Sequence, residues 1–262
     1  MRRFRVRAAV VGLTMVIWAV SPGAAAPLQI GVSAGPYGEI LEYAGTLAAR
    51  EGLEVKVIEF TDWTMPNAAL ASGDLDANNF QHQPYLDNQI KQHGYDLVVV
   101  AKSIVVPMGL YSSKYAALRD IPKGASISVP NDPTNGARAL FLLQRAGLVV
   151  LRDDPPLDAT VADIKDNPRG LKLVELDAAQ LPRSLDDVAA SVVTLNYALK
   201  AGLDPKKALL LEDNSSQWNL VWVTRRDRAG DPRIARLIQI YQSPEVVQFI
   251  DEKFQGTILP AW

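Results

Sequence analysis

Apolar residues in this chain follow two alternating periods. Short continuous or period-two runs at residues 28–32, 53–60 and 97–106, with a strand end near 75–77, read as strands. Between them, residues 37–50, 65–72 and 84–93 carry apolar side chains at helical spacing, and Gly52, Gly73 and Gly94 close these stretches. Strand–helix–strand order implies strands that run mostly parallel, with helices covering both faces of the sheet. The predicted class is therefore α/β.

The pattern starts again past residue 107. Gly109 interrupts a strand-like run and predicts a bend where the chain changes lobe. A fresh strand follows at 125–129, then a loop dense in turn and cap residues at 130–135. A helix is expected from 136 or 137 to 146, stopped by Gly147. Short strands are expected at 149–151, 171–175, 188–193 and 209–211. A short helix should start on a Ser184 cap within 182–187, and another should run over 197–201 and stop at Gly202. Residues 219–224 read as a return crossing, and 232–241 and 244–254 as terminal helices with proline in the first turn. The expected architecture is two lobes, residues 27–107 with 220–262 and residues 108–219, joined by two strand-like crossings. The hinge is placed at 107–110 and 219–223, and the cleft between the lobes closes on a ligand.

The first 26 residues read as a secretory signal. Arg2, Arg3, Arg5 and Arg7 precede an apolar run at 8–20 that is too short to span a bilayer, and small residues follow, with cleavage expected after Ala25. The signal holds four of the 27 basic residues and none of the 29 acidic ones, which leaves 23 against 29, a net charge near −6. That balance argues against nucleic-acid and anionic-membrane partners. The chain has no cysteine, so no thiol is present to form a disulfide or to carry a lipid at the signal junction. The expected location is the periplasm, as a soluble monomer.

Residues 78–87, Asn-Asn-Phe-Gln-His-Gln-Pro-Tyr-Leu-Asp, concentrate aromatics, a histidine and amides. Phe80, Gln81 and His82 are expected on a strand-to-helix connection, the edge where α/β proteins hold ligands. The stretch suits a pocket for a small, half-apolar molecule, or a loop whose aromatics dip into the core. Arg138, expected in the first turn of its helix, could grip a carboxylate beside free backbone N–H groups, lean into solvent, or pair with Asp132. Asn135 and Asn219 could bind charged ends of a ligand, and Asn135 could equally be only a cap. Trp63, Phe80 and Tyr85 could line an apolar pocket suited to a thioether, or simply pack in the core. Two histidines, His82 and His93, without cysteine are too few donors for a zinc site. No nucleophile elbow, phosphate loop or dinucleotide fingerprint appears, so neither enzyme chemistry nor a cofactor is expected.

Several segments together resemble the NlpA/MetQ family of methionine-binding proteins of bacterial ABC importers. They are residues 74–86 through the Phe-Gln-His-Gln-Pro-Tyr motif, residues 129–135 (Val-Pro-Asn-Asp-Pro-Thr-Asn), residues 181–187 (Leu-Pro-Arg-Ser-Leu-Asp-Asp) and the ending from Tyr241. The resemblance covers essentially the whole chain after the signal. It implies a two-lobed periplasmic-binding-protein fold (type II-like) that holds methionine or a related amino acid or short peptide. It further implies delivery to an ABC permease with a cytoplasmic ATPase. An enzyme or a sensor-coupled receptor on the same fold is the alternative. The family's apolar wall falls on Phe80, His82 and Tyr85, with Trp63 where a tyrosine is common. Its carboxylate-binding arginine falls on Arg138, with Asn135 a turn earlier, and a later amide falls on Asn219. Two departures stand out: the lipid-bearing cysteine is missing, and a family asparagine is replaced by Thr194. The shorter hydroxyl implies a shifted ligand range or a weaker fit to methionine.

Overall fold

The computed structural model describes residues 26–213 and 217–262. The expected signal lies, apart from Ala26, outside the described residues. The elements in order are β1 (Leu28–Ser33), α1 (Pro36–Ala49), β2 (Val55–Phe60), α2 (Met65–Ser72), β3 (Ala77–His82), α3 (Gln83–His93), β4 (Leu97–Lys102), β5 (Ile104–Val105), β6 (Met108–Tyr111), β7 (Ser126–Pro130) and α4 (Pro133–Arg145). There follow β8 (Val150–Leu151), β9 (Ile164–Asp166), β10 (Lys172–Leu176), α5 (Leu181–Ser184), β11 (Ala190–Thr194), α6 (Leu195–Lys200), β12 (Leu210–Leu211), β13 (Leu220–Arg225), α7 (Pro232–Tyr241), α8 (Pro244–Phe254) and β14 (Leu259–Pro260).

The strands form two five-stranded sheets, ordered β2-β1-β3-β13-β4 and β10-β7-β11-β6-β12. Each is parallel except for one reversed strand, β13 in the first and β6 in the second. The reversal has a simple cause. β3 and β11 end at the cleft, whereas β13 and β6 enter their sheets from it and so run the other way. The register shows this directly: His82, last in β3, faces Leu220, first in β13, and Thr194, last in β11, faces Met108, first in β6. Four chain ends thus meet at the space between the sheets.

Each sheet has its own apolar core. One is built on Leu28, Ile30, Ile40, Leu41, Trp222 and Tyr241, the other on Met108, Leu110, Ile127, Leu142 and Val192. α6 belongs to both lobes by packing. Leu195 and Leu199 reach the first core, while Tyr197 and Ala198 pack with Leu181 and Val193.

Several local expectations are corrected. β3 is not a strand end followed by a loop; it runs through His82, and α3 starts on the next residue. Asparagine and glutamine are poor strand formers, but β3 lies in the middle of its sheet, and the buried amides of Asn78 and Gln81 are satisfied by each other and by Asn67. Asn67 Nδ2 donates to Gln81 Oε1 at 2.8 Å, Asn78 Nδ2 to Asn67 Oδ1 at 2.9 Å, and Gln81 Nε2 to Asn67 Oδ1 at 2.6 Å. α4 begins at Pro133, earlier than expected, because Asp132 caps it and accepts from Asn135 N at 2.9 Å. Ser184 ends α5 instead of starting a helix, and its hydroxyl donates back to Leu181 O at 2.7 Å. The 97–106 run is broken at Ser103, whose N–H donates to Leu220 O at 2.8 Å. β9 was not expected.

Gly109 lies inside β6 and serves close packing: a Cβ there would meet the Tyr111 ring at 2.7 Å and Leu211 at 3.1 Å. The crossings lie earlier than the expected hinge. Outward it is Val106–Pro107; on return the chain leaves the second sheet after Leu211 and enters β13 at Leu220, so residues 220–223 are held inside β13.

Removing the hub of the buried amide cluster tests this account of β3. Asn67→Ala should strand donors and acceptors on Gln81 and Asn78 and destabilise the protein by about 2–3 kcal/mol, read as a lowered denaturant midpoint.

Candidate functional site

The end of β3 and the first turn of α3 build one wall. Phe80 and His82, two apart on a strand, share a face. His82 is also the N-cap of α3: its Nδ1 accepts from Tyr85 N at 3.1 Å, which brings Tyr85 over the same surface. The Phe80 and Tyr85 rings meet edge to face at 6.0 Å, and Trp63 meets Tyr85 likewise at 6.4 Å. Tyr85 OH donates to Trp63 O at 2.9 Å, and Trp63 Nε1 donates to Ser33 Oγ at 3.1 Å, so the polar tips are fixed and the apolar faces remain.

The opposite wall comes from α4 and the end of β11. Asp132 accepts from both the backbone N and the side-chain Nδ2 of Asn135, at 2.9 and 3.1 Å, which turns Asn135 Oδ1 toward β3. Burial pushes the Asp132 carboxyl up from the usual range, and these donated hydrogen bonds oppose the shift. Asn135 Oδ1 then meets His82 Nε2 at 3.1 Å, a bond that spans the two lobes. With Nδ1 accepting, Nε2 must carry the proton, and the ring is neutral. Burial, followed by the Arg138 charge, holds the His82 imidazolium down at about 3. Two more contacts join the lobes: Tyr197 OH donates to Thr61 O at 3.2 Å, and the Trp63 and Tyr197 rings lie 5.1 Å apart.

Between the walls is a nearly filled cavity, with only about 20 Å³ open to the centre of a water-sized sphere, so a ligand the size of an amino acid needs the lobes or the lining to part. The structure brings Trp63, Phe80, His82, Tyr85, Asn135, Arg138 and Thr194 together in its lining. Asn219 is half-buried and does not line it; Leu220, the next residue, does. Tyr37, Gln81 and Val106 complete the wall and were missed. Tyr37 had a usable signal, since it follows Gly35-Pro36 at the end of β1, the same sheet edge as the end of β3. The Thr194 hydroxyl is buried and has no hydrogen-bond partner among the described residues.

Arg138 departs most from expectation. It sits in the second turn of α4, and its partner is Glu212, not solvent or Asp132. Its Nε donates to both Glu212 oxygens at 3.1 Å, its Nη2 donates to Glu212 Oε2, and the same Nη2 donates to Val106 O at 2.8 Å. The ring of Trp218, on the return crossing, lies 5.5 Å from the guanidinium carbon and 5.0 Å from the His82 ring. Nothing in the local sequence marks Glu212, because it meets Arg138 from 74 residues away.

A cleft between two α/β lobes, one wall aromatic and the other carrying a lone lining cation, defines a two-lobed ligand-binding protein. Residues 28–262 match the NlpA lipoprotein family, and the chain belongs to it. It is 43% identical over 239 residues, 90% of this chain and 88% of the relative, to the D-methionine-binding lipoprotein MetQ of Salmonella typhi. Among solved structures, a nutrient binding protein from Burkholderia cenocepacia bound to methionine superposes with a TM-score of 0.87 at 47% identity, covering 90% of this chain and all (100%) of that one. An ABC transporter, periplasmic substrate-binding protein from Coxiella burnetii superposes with a TM-score of 0.85 at 46% identity, covering 89% and 100%. The two-lobed expectation thus holds.

His82 gives the site a pH signature. Its folded pKa lies below its ordinary value of about 6.5, so as pH falls the unfolded chain takes up a proton that the folded chain refuses. Stability is complete above about 6.5 and declines toward the folded value of about 3. Between pH 7 and pH 5 the wild type should lose about 2 kcal/mol more than His82→Gln, measured by denaturant unfolding at both pH values.

Proposed function

We propose that this chain is a solute-binding protein that captures methionine, or a close relative of it, between its lobes and passes it to an ABC permease driven by a cytoplasmic ATPase. The carrying observation is the division of the cavity. Trp63, Phe80 and Tyr85 present apolar faces from one lobe, and Arg138, Asn135 and Thr194 present polar groups from the other. A thioether side chain fits against the aromatic wall, and an amino-acid head group fits the polar one. A ligand touching both walls stabilises the closed arrangement, whose lobes already meet through His82 and Asn135. The methionine-bound relative and the MetQ relatives support this reading.

The site residues carry separate roles in this proposal. Arg138 takes the carboxylate, Asn135 and Thr194 orient the head group, and Asn219 approaches from the return crossing once the ligand is in place. The domains are the two segments named above, divided at residues 107 and 219. The protein acts as a soluble periplasmic monomer after loss of its signal. Relatives are lipoproteins, but this chain has no cysteine to carry the lipid. Among the described residues no helix is long and apolar enough to cross a membrane.

The test is calorimetric titration of unfolded, ligand-stripped and refolded protein with L- and D-methionine. Binding should be saturable, and Arg138→Ala should weaken it by about ten- to a hundredfold. If the short Thr194 hydroxyl leaves one head-group bond unmade, Thr194→Asn should strengthen L-methionine binding by roughly one to two decades, about 1.5–3 kcal/mol. No heat with either enantiomer would remove methionine as the ligand. A nanomolar wild-type constant that Thr194→Asn leaves unchanged would remove the retuned pocket.

A further inference from the structure

The carboxylate of Glu212 is built into the far side of the cavity wall. Its side chain is 11% exposed against 3% for Arg138. It is held at three points: its backbone N–H donates to Met108 O at 2.8 Å, its Oε2 accepts from Met108 N at 3.1 Å, and both oxygens accept from Arg138 Nε. One face of the guanidinium, Nε with Nη2, is therefore closed to any ligand, and the second Nη2 hydrogen is taken by Val106 O. Nη1 has no acceptor among the described residues, and Arg138 lines the cavity. A ligand carboxylate thus meets one guanidinium nitrogen, not the two-pronged grip that a free arginine offers.

The charges add a second constraint. Among the described residues Arg138 is the only formally charged side chain lining the cavity, His82 is pinned neutral by its two hydrogen bonds, and Glu212 cancels Arg138. A bare anion entering this neutral, buried space would carry an unmatched charge out of water. A zwitterion brings its own balance.

We propose that Glu212 is a positioning residue that sets the ligand class. By occupying one edge of Arg138 and matching its charge, it tunes the cavity for zwitterionic amino acids and against carboxylates that lack the ammonium group. This rests on the methionine reading above. The probes are L-methionine and 4-(methylsulfanyl)butanoate, which is methionine without its amino group. The wild type should prefer methionine by roughly a hundredfold or more, since the analogue leaves the site's polar groups unpaired. Glu212→Gln, which keeps the shape and removes the charge, should lower that preference about tenfold. Glu212→Asp, which keeps the charge, should retain most of it. A generally loosened site would weaken both ligands together and leave the ratio unmoved.

A second readout needs only the wild type. The Arg138 Nε–H resonance should be protected from solvent exchange before and after methionine is added. Release of that proton on binding, equal binding of the two probes, or an unchanged ratio in Glu212→Gln overturns the proposal while methionine binding stands. A wild type that binds neither probe overturns the methionine reading itself and this inference with it.

Discussion

A guanidinium buried to 3% exposure cannot exist without partners, and those of Arg138 come from two other parts of the chain. Its helix is in the second lobe, its carbonyl acceptor Val106 is on the outward crossing, and its carboxylate Glu212 begins the return crossing. Satisfying one charge thus fixes where both crossings leave the second lobe. Glu212 in turn binds both backbone groups of Met108, the first residue of β6. The reversed strands follow from the same junction. A strand that starts at the cleft must run away from it, and β6 and β13 both start there.

The alternation of strands and helices was legible because its punctuation is local. α2 and α3 end on Gly73 and Gly94, both in the left-handed region that glycine adopts without steric cost. α7 and α8 begin with proline in the first turn, and their limits were read to the residue. The errors arose where local chemistry and tertiary setting disagree. Residues 130–135 read as a loop because cap and turn residues are the same types, and only the Asp132 bond to Asn135 N shows that the helix has begun. β3 read as a connection because its asparagines and glutamine disfavour a strand. What holds Asn78 and Gln81 is Asn67, on α2, more than ten residues away. β9 is three residues long, mostly exposed, and has no apolar period to find.

The site was legible to different depths. The aromatic wall could be suspected from residues 78–87 alone, since Phe80, His82 and Tyr85 share a surface once a strand passes directly into a helix. The opposite wall was placed by resemblance to known binding proteins. Composition and spacing had left Arg138 open between a ligand carboxylate, solvent and Asp132, and Asn135 open between ligand contact and capping. The structure corrects the cap reading of Asn135: Asp132 is the N-cap, and Asn135 stands three residues inside the helix. Its backbone and Nδ2 are tied to the Asp132 cap, while its Oδ1 holds His82 across the cleft. Glu212 escaped both routes because a counter-charge leaves no pattern around itself in the sequence. Its meaning comes only from the arginine it meets.

Thr194 shows what such a cavity leaves open to a ligand. Its hydroxyl is buried, lines the space and has no hydrogen-bond partner among the described residues. An unpaired buried polar group costs about 1–3 kcal/mol in the folded protein. A ligand that supplies the missing partner recovers that cost, and one that cannot leaves it in place. Selectivity then comes less from the strength of any one contact than from which unsatisfied groups the ligand can reach. A hydroxyl at residue 194 donates and accepts at one atom over a short reach, where an amide would reach further and place its donor and acceptor on separate atoms. On the proposed reading, Glu212 restricts Arg138 to one nitrogen and Asn135 shares its amide with Asp132 and His82, so the polar wall offers few free groups. The length and charge of the head group would then decide what the lobes close on, while the aromatic wall, made of faces and edges, tolerates variation in the side chain.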